Sequence, residues 1–458
     1  MKIAFLAPAG AMHRYNGLFH KNLHYAPITL ALLAALVPHE LEAELVIHDE
    51  TAGPIPLDLN ADVVAITCIT GTAERSYRFA DCFRSRGMCV ILGGVHPSLL
   101  PDEAKMHADC VITGLAEKSF PKALLDWRAG QLQPFYHQPP DASIADRPLP
   151  RKDLLRQDRY ITLNTVEAVR GCCHTCSFCA YPSAFGKGIY KRPVADIIGE
   201  IKTFKGKFVV FPDVNLITDL EFARELFTAM IPLKKWWLGL TTAAIGHDDD
   251  LLALFRKSGC KGLLIGFESI NQEAQSSIHK GVNKVSEYRA LMDGLHRHGI
   301  MVMGCFAFGS DGDSRDVFER TVQFCQAAKI DLPRFSVITP FPQTPFHAEL
   351  EEQGRITDRH WALYDVEHVV FTPSQMSQKA LEEGIDWAWK RVYSIRSILG
   401  RIDWRNVFRI NVLYLVYLLS NIGYRRYAQH FSIFDAARML DNSDIPAVVH
   451  QYEPATTP

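Results

Sequence analysis

Val169-Arg170-Gly171-Cys172-Cys173-His174-Thr175-Cys176-Ser177-Phe178-Cys179-Ala180-Tyr181-Pro182 sets Cys172, Cys176 and Cys179 at CxxxCxxC spacing on one short loop. Three thiolates held this way can take three corners of a cubane [4Fe–4S] cluster, and the missing fourth leaves one iron open to an exogenous ligand. Zinc is the competing metal. A structural zinc site is closed by four ligands, which here would recruit Cys173 or His174. Adjacent residues rarely both reach one tetrahedral ion, and no second Cys pair follows at finger spacing. Ordinary burial of so many thiols on a glycine-led loop is a poor third reading.

The loop follows an apolar run, Thr165–Val169, and five more runs come after it: Phe208–Phe211, Leu238–Thr242, Gly262–Phe267, Ile300–Ala307 and Phe335–Thr339. Most are followed by a helical stretch. In one, Asp248-Asp249-Asp250 supplies the cap and first-turn acids, Leu251–Phe255 the apolar face and Gly259 the stop. Six strand–helix units predict a partial β/α TIM barrel, short of the eight that close a full one. Active sites in such folds lie on the loops at the carboxyl ends of the strands. Asp213 and Asn215, Thr241 and Thr242, Glu268 and Ser269, Gly304–Gly309 and Thr339–Pro345 all fall at those ends and would open toward one mouth. Taken singly, each is equally a cap or turn residue.

Upstream, Ile3–Leu6, Leu45–Ile47, Val63–Thr67, Val90–Leu92 and Val111–Thr113 are apolar runs bounded by turn residues and separated by helical stretches. They predict an N-terminal doubly wound parallel sheet. Gly93-Gly94 after the fourth run would let backbone approach a bulky ligand, and Thr67, Thr70 and Thr72 after the third offer hydroxyls. No glycine-rich dinucleotide fingerprint follows the first run, which argues against NAD. Gln131 to Arg159, with Pro139-Pro140 and Pro148-Leu149-Pro150, shows no sustained period and reads as a linker. Beyond Gln353 the strands cease and a C-terminal helical domain begins. The expected boundaries are 1–135, a linker at 136–159, 160–352 and 353–458.

Within the helical domain Ile410–Tyr424 carries no charge but is short for a bilayer span and is interrupted by Asn411, Ser420 and Asn421. It reads as a helix buried in the domain, with a membrane surface or an apolar substrate site as the alternatives. The 458 residues carry a formal charge of −2, so nothing favours nucleic acid as a partner. Eleven cysteines, an odd number, and an N-terminal apolar run too short for a signal core make a reducing cytoplasm the expected compartment.

The CxxxCxxC loop at the head of a β/α barrel resembles the radical S-adenosylmethionine (radical SAM) superfamily, in which SAM occupies the open iron. The resemblance implies Cys172, Cys176 and Cys179 as cluster ligands and Phe178 as the aromatic packed beside cluster or adenine. Pro212-Asp213-Val214-Asn215 stands where the family has Gly-Gly-Glu and its cobalamin branch often Asp-Asp-Asn, so Asp213 and Asn215 become SAM-binding candidates and Val214 a departure. Thr241, Glu268 and Gly304 complete the SAM set, Glu268 toward the ribose and Gly304 toward adenine.

The N-terminal loops resemble the Rossmann-like cobalamin-binding domain that precedes the barrel in cobalamin-dependent radical SAM enzymes. That likeness implies Thr67, Thr70, Gly71, Thr72, Gly93, Gly94, His96, Gly114 and Glu117 as cobalamin-binding residues, and it extends past the barrel to Trp361 and Tyr364-Asp365. The Asp-x-His-x-x-Gly of cobalamin carriers that ligate cobalt from below is absent; Ala11-Met12-His13-Arg14-Tyr15-Asn16-Gly17 stands in its place, so cobalt is expected to lack a histidine ligand, as in many members of the family. The implied chemistry is methylation of an unactivated carbon by a 5′-deoxyadenosyl radical and methylcobalamin, with a flavodoxin- or ferredoxin-type electron donor and a small or lipid-like substrate. Two other readings stay open: a cyclase, oxidase or ring-rearranging enzyme of the same architecture, and a non-catalytic iron–sulfur or cobalamin sensor. The C-terminal helices would supply any peripheral membrane contact.

Overall fold

The computed structural model describes residues 1–10, 25–138, 144–246, 248–402, 412–430 and 440–448. His13 with its neighbours and Pro139-Pro140 lie outside the described residues.

The first sheet contains β1 (Lys2–Ala7), β2 (Glu44–Asp49), β3 (Val63–Thr67), β4 (Cys89–Gly93), β5 (Cys110–Gly114) and β6 (Phe135–Gln138) in the order β2-β1-β3-β4-β5-β6. Every pairing is parallel. Central strands such as Ile3–Leu6 and Val63–Ile66 are apolar throughout because helices cover both faces. The expectation of five strands is one short. β6 pairs with β5 from a stretch whose Pro- and Gln-rich composition hides it, and its alternating exposure marks an edge strand.

The stretch after β6 is also tied down rather than free. Arg151 N–H donates to Ala31 O at 2.8 Å, and Lys152 Nζ pairs with Glu200 Oε1 at 3.0 Å.

The second sheet is an arc of five parallel strands, β9 (Phe208–Val210), β10 (Trp236–Thr242), β11 (Cys260–Glu268), β12 (Met301–Phe308) and β13 (Leu332–Val337), in sequence order. The expected first strand, Thr165–Val169, is mostly not in the arc. It contributes one bridge, Thr165 to Val210, and then turns away as β7 (Val169–Gly171), which pairs antiparallel with β8 (Ile189–Lys191). Gly171 makes that turn with φ +103°, where a Cβ would lie 2.0 Å from Gly188 O. No other residue fits immediately before Cys172.

Strands β10 and β12 alternate strictly, and β11 and β13 do so after an irregular start. Trp237, Phe267, Phe306 and Phe335 face the helices in two aromatic groups, one with Phe227 and Phe255 and the other with Phe324 and Trp389. The other face of the arc is left as a half-open interior.

The C-terminal helices Gln378–Val392 and Val412–His430 lean on the β13 edge. Arg401 is fully buried there; its Nη1 donates to Ile330 O and Asp331 O, and its Nη2 to Val392 O and Asn421 Oδ1. Asn421, which interrupts the apolar run, is thus a satisfied core amide. The reading of that run as a wholly buried helix needs correcting. Tyr417 and Asn421 are buried, but Leu415, Val416, Leu418, Leu419 and Ile422 are exposed. Of Ile410–Tyr424, Ile410 and Asn411 lie outside the described residues. No helix among the described residues is long and apolar enough to cross a membrane.

The two sheets are joined by a buried chain of alternating charges. Arg170 of β7 donates to Glu117 Oε1 at 2.5 Å on the first sheet's side and to Glu167 Oε1 and Oε2 at 2.9 and 2.8 Å on its own. Arg147 pairs with Glu167, and Arg192 joins the Glu167 carbonyl to Glu200 Oε2 at 2.7 Å. Burial opposes charge on Glu167, yet Arg170 and Arg147 hold its carboxyl below the usual range. Replacing Arg170 by Met leaves two buried carboxylates without their shared cation, and we expect a loss of about 3–5 kcal/mol, read as a lower midpoint in urea unfolding. Arg170→Lys is expected to recover only part of it, because an ammonium cannot serve both carboxylates in fork geometry.

Candidate active site

Cys172, Cys176 and Cys179 lie where β7 leaves the arc. The loop is fixed at its centre, where Ser177 N–H donates to Ile278 O at 3.1 Å and Phe346 N–H to Ser177 O at 3.0 Å. Burial pushes the Cys176 thiol up to about 11 and the Cys179 thiol in the same direction; Cys176 feels Cys179 and Cys172, and Cys179 feels Cys172. Thiols turned on one another while burial opposes their ionisation become stable thiolates around a cationic centre. Among the described residues no three His, Cys, Asp or Glu side chains are drawn together tightly enough for a single metal ion. Cys173 is exposed and accepts from Thr218 Oγ1 at 3.2 Å.

Around the thiols, Asn215 Nδ2 donates to Cys172 Sγ at 3.6 Å, and Thr241 Oγ1 donates to Asn215 Oδ1 at 3.3 Å. On the other side Lys280 is buried, senses Cys176 and Cys179, and pairs with Glu268. Glu268 ends β11 at φ +59°, following an irregularity in its register with β12. Its carboxylate folds back over Gly266, where a Cβ would lie 2.5 Å from Oε1.

The first sheet carries a separate opening at the carboxyl ends of β3, β4 and β5. About 330 Å3, counted out to solvent, is bordered by Leu33, Ile66, Ile91, Gly93, Gly94, Ile112, Gly114 and Phe120. Gly94 has φ +113°, and a Cβ on it would meet Cys68 O at 2.6 Å. An apolar slot with glycines at its mouth suits a flat ring system on a bulky ligand.

The two openings are neighbours. Helix Val95–Leu99, just after Gly94, packs against helix Ala180–Phe185, just after Cys179.

Comparison with known proteins matches both halves. The Radical SAM superfamily model covers residues 166–325 and the B12 binding domain model residues 55–124. The bacteriochlorophyllide d C-12(1)-methyltransferase of Chlorobaculum tepidum is 31% identical over 413 residues, 86% of this chain and 88% of that one. The chain belongs to the cobalamin-dependent radical SAM family. It is an enzyme, a radical SAM methyltransferase whose cofactors are a [4Fe–4S] cluster, SAM and cobalamin. The same organism's bacteriochlorophyllide d C-8(2)-methyltransferase is 28% identical over 423 residues, 87% of this chain and 91% of that one. In fold the chain is similar to the radical SAM methyltransferase TsrM from Kitasatospora setae, solved with cobalamin and a [4Fe–4S] cluster, at a TM-score of 0.64, 15% identity and coverage of 93% and 99%.

The residues of this radical SAM enzyme singled out in sequence do not all share one place. Cys172, Cys176, Cys179, Asn215 and Glu268 gather at the cluster pole, with Thr241 one hydrogen bond behind. Phe178 is half-buried and packs on the barrel core. Asp213 is committed elsewhere: its Oδ1 accepts from Ala168 N–H at 2.9 Å and from Val169 N–H, holding the strand that feeds the cluster loop, while Oδ2 is buried without a partner. Gly304 faces away from the interior; a Cβ there would meet Ile330 at 2.9 Å and Phe267 at 3.2 Å, so its small size serves the helix layer and Cys305 faces inward instead.

At the cobalamin pole Gly93, Gly94 and Gly114 border the slot and Thr67 abuts Gly94. His96 corrects an expectation. It is fully buried, with Nδ1 against Thr70 Oγ1 at 3.3 Å, Nε2 against Glu103 at 3.2 Å and Trp361 at its edge, so both nitrogens are engaged away from a corrin. Thr70, Gly71 and Thr72 share that junction: Thr72 Oγ1 caps its own turn and Gly71 lies against Tyr364 O. Glu117 is the ion-pair partner of Arg170. Sequence reasoning missed Lys280, whose only signal was a charge soon after Glu268 in a stretch of helix-forming residues.

Burial, with Glu167 nearby, pushes the Asp213 carboxyl up to about 8. A carboxyl raised in the folded state favours folding while protonated, so its contribution declines as pH rises from about 4 to 8. Asp213→Asn keeps an acceptor for the two amides and does not titrate. The thermal midpoint of the wild type relative to Asp213→Asn is therefore expected to fall between pH 5 and 8, and Asp213→Ala to be less stable than either, by about 1–3 kcal/mol per stranded amide.

Proposed function

We propose that this enzyme methylates a carbon of a chlorin-type tetrapyrrole, within the chamber between the two cofactor poles. The observation that carries the location is the direct packing of helix Val95–Leu99 on helix Ala180–Phe185, which brings the glycine-mouthed slot and the cysteine loop onto one space. The substrate class is supported by the names of the two relatives above, whose similarity extends over most of each chain.

Within that reading the residues divide the work. Cys172, Cys176 and Cys179 would hold the cluster, and Asn215 and Thr241 would position Cys172. Glu268 and Lys280 form the polar wall on which SAM would rest, and Gly93, Gly94 and Gly114 admit cobalamin, with the apolar slot suited to its displaced base. When bound, the cluster with SAM supplies a hydrogen-abstracting 5′-deoxyadenosyl radical and methylcobalamin supplies the methyl group. Exposed Cys173 and Thr175 bring the cluster loop to the surface, where a flavodoxin- or ferredoxin-type donor would approach. The exposed apolar side of helix Val412–His430 suits peripheral contact with a pigment-bearing membrane.

Purified without oxygen, reconstituted with iron, sulfide and cobalamin, and supplied with reductant, methyl-deuterated SAM and bacteriochlorophyllide d, the wild type is expected to form 5′-deoxyadenosine and deuteromethylated pigment. Cys176→Ala is expected to form neither. Formation of 5′-deoxyadenosine with no label in the pigment would sink the tetrapyrrole reading; unchanged 5′-deoxyadenosine from Cys176→Ala would sink the cluster assignment.

A further inference from the structure

Strand register sets Thr242, Gly266, Cys305 and Arg334 side by side across the inner face of the arc. Arg334 is unlike the other inward-facing residues. Cys305, Glu367, Tyr424 and Tyr427 lie around it, yet 40% of its side chain remains accessible, so it does not pack wholly into protein. Among the described residues its one charged contact is Glu367 Oε1 at 3.9 Å, and its guanidinium makes no hydrogen bond. A closed arginine–carboxylate fork has N–O distances of about 2.7–2.9 Å. The buried arginines Arg170 and Arg401, by contrast, each donate to several acceptors. Burial pushes the Glu367 carboxyl up to about 8 against the pull of Arg334, and the 3.9 Å separation leaves the pair short of a closed ion pair. The guanidinium donors of Arg334 are therefore available to a ligand on the inner face of the arc.

We propose that Arg334 binds a side-chain carboxylate of the methyl acceptor and sets which edge of the macrocycle faces the cofactors. The proposal rests on the tetrapyrrole reading above. Arg334 belongs to the same chamber as the cluster, since the Cys305 thiol feels Arg334, Glu268 and Lys280, and Lys280 feels Cys176 and Cys179. SAM's own carboxylate is the rival ligand. Lys280 is the cation beside the cluster thiols, whereas Arg334 stands two strands beyond Gly266, about 10 Å away, against the C-terminal helix. The remote position fits the acceptor. The planar fork selects a carboxylate over a neutral ester, and a bacteriochlorophyllide carries a free carboxylate that methyl esterification removes.

The test uses bacteriochlorophyllide d and its methyl ester, with binding to the reconstituted holoenzyme followed by tryptophan quenching. Wild type is expected to bind the acid at least tenfold more tightly than the ester, and Arg334→Gln to erase that preference by weakening the acid alone; Arg334→Lys is expected to fall between. The wild-type comparison stands even if a variant does not fold. Equal binding of acid and ester by wild type, or equal weakening of both in Arg334→Gln, would overturn the role of Arg334 and leave the tetrapyrrole reading standing. Binding of neither pigment by wild type would overturn both. If Arg334→Gln abolishes the change that SAM makes in the EPR signal of the reduced cluster, the guanidinium serves SAM and the proposal is wrong.

Discussion

Arg170 holds the molecule's two halves in register. It sits one residue before Gly171 and two before the first cysteine of the loop, and its guanidinium is shared between Glu167 just ahead of its own strand and Glu117 just after β5 of the neighbouring sheet. A cation flanked by two carboxylates out of water is favourable only if geometry is kept, because removing or displacing any member strands the others. The same arrangement that satisfies these charges therefore fixes where the cysteine loop stands relative to the glycine-mouthed slot. Radical chemistry between two separate cofactors requires that kind of fixed separation, and here it is set by ion pairs backed by helix packing.

A second constraint comes from the departure of β7 from the arc. If Thr165–Val169 had stayed a full sixth strand, the cysteines would lie on a loop directly above the barrel axis. Instead the chain turns at Gly171, pairs with β8 and delivers the loop to the flank facing the first sheet. Asp213 secures this detour by accepting the amides of Ala168 and Val169 at the point where the strand leaves. Part of the polar machinery at the mouth is thus architectural, and its charge state is set by its burial.

Much of this was legible in the chain itself. Apolar runs with regular spacing marked both sheets, because buried parallel strands need apolar side chains on both faces. The cysteine spacing marked the loop proposed to hold the cluster, because three ligands on one loop must be close in sequence. What escaped had weaker local signals. β6 is a short edge strand among prolines and glutamines and is stabilised by its pairing rather than its composition. The roles of His96 and Glu117 depend on partners distant in sequence, Glu103 with Trp361 and Arg170 with its charge chain. Gly304 was misread because the face a strand residue presents flips with a one-residue shift, and a glycine carries no side chain to reveal it. Lys280 and Arg334 carry little sequence signal of their own; burial beside Glu268 gives the first its meaning and strand register the second.

The arc has only five strands, and that changes what limits the contents of its interior. In a closed barrel the circumference is set by strand number and the inside is packed with side chains. Here the two edges, β9 and β13, are bounded by the β7 detour on one side and by helices leaning in on the other. The width available to a guest is therefore a property of the walls and not of the sheet. A lineage can widen, narrow or recharge that space by altering residues such as Glu367 and Tyr424 in the C-terminal segment, while the strands that carry the cofactor ligands stay as they are.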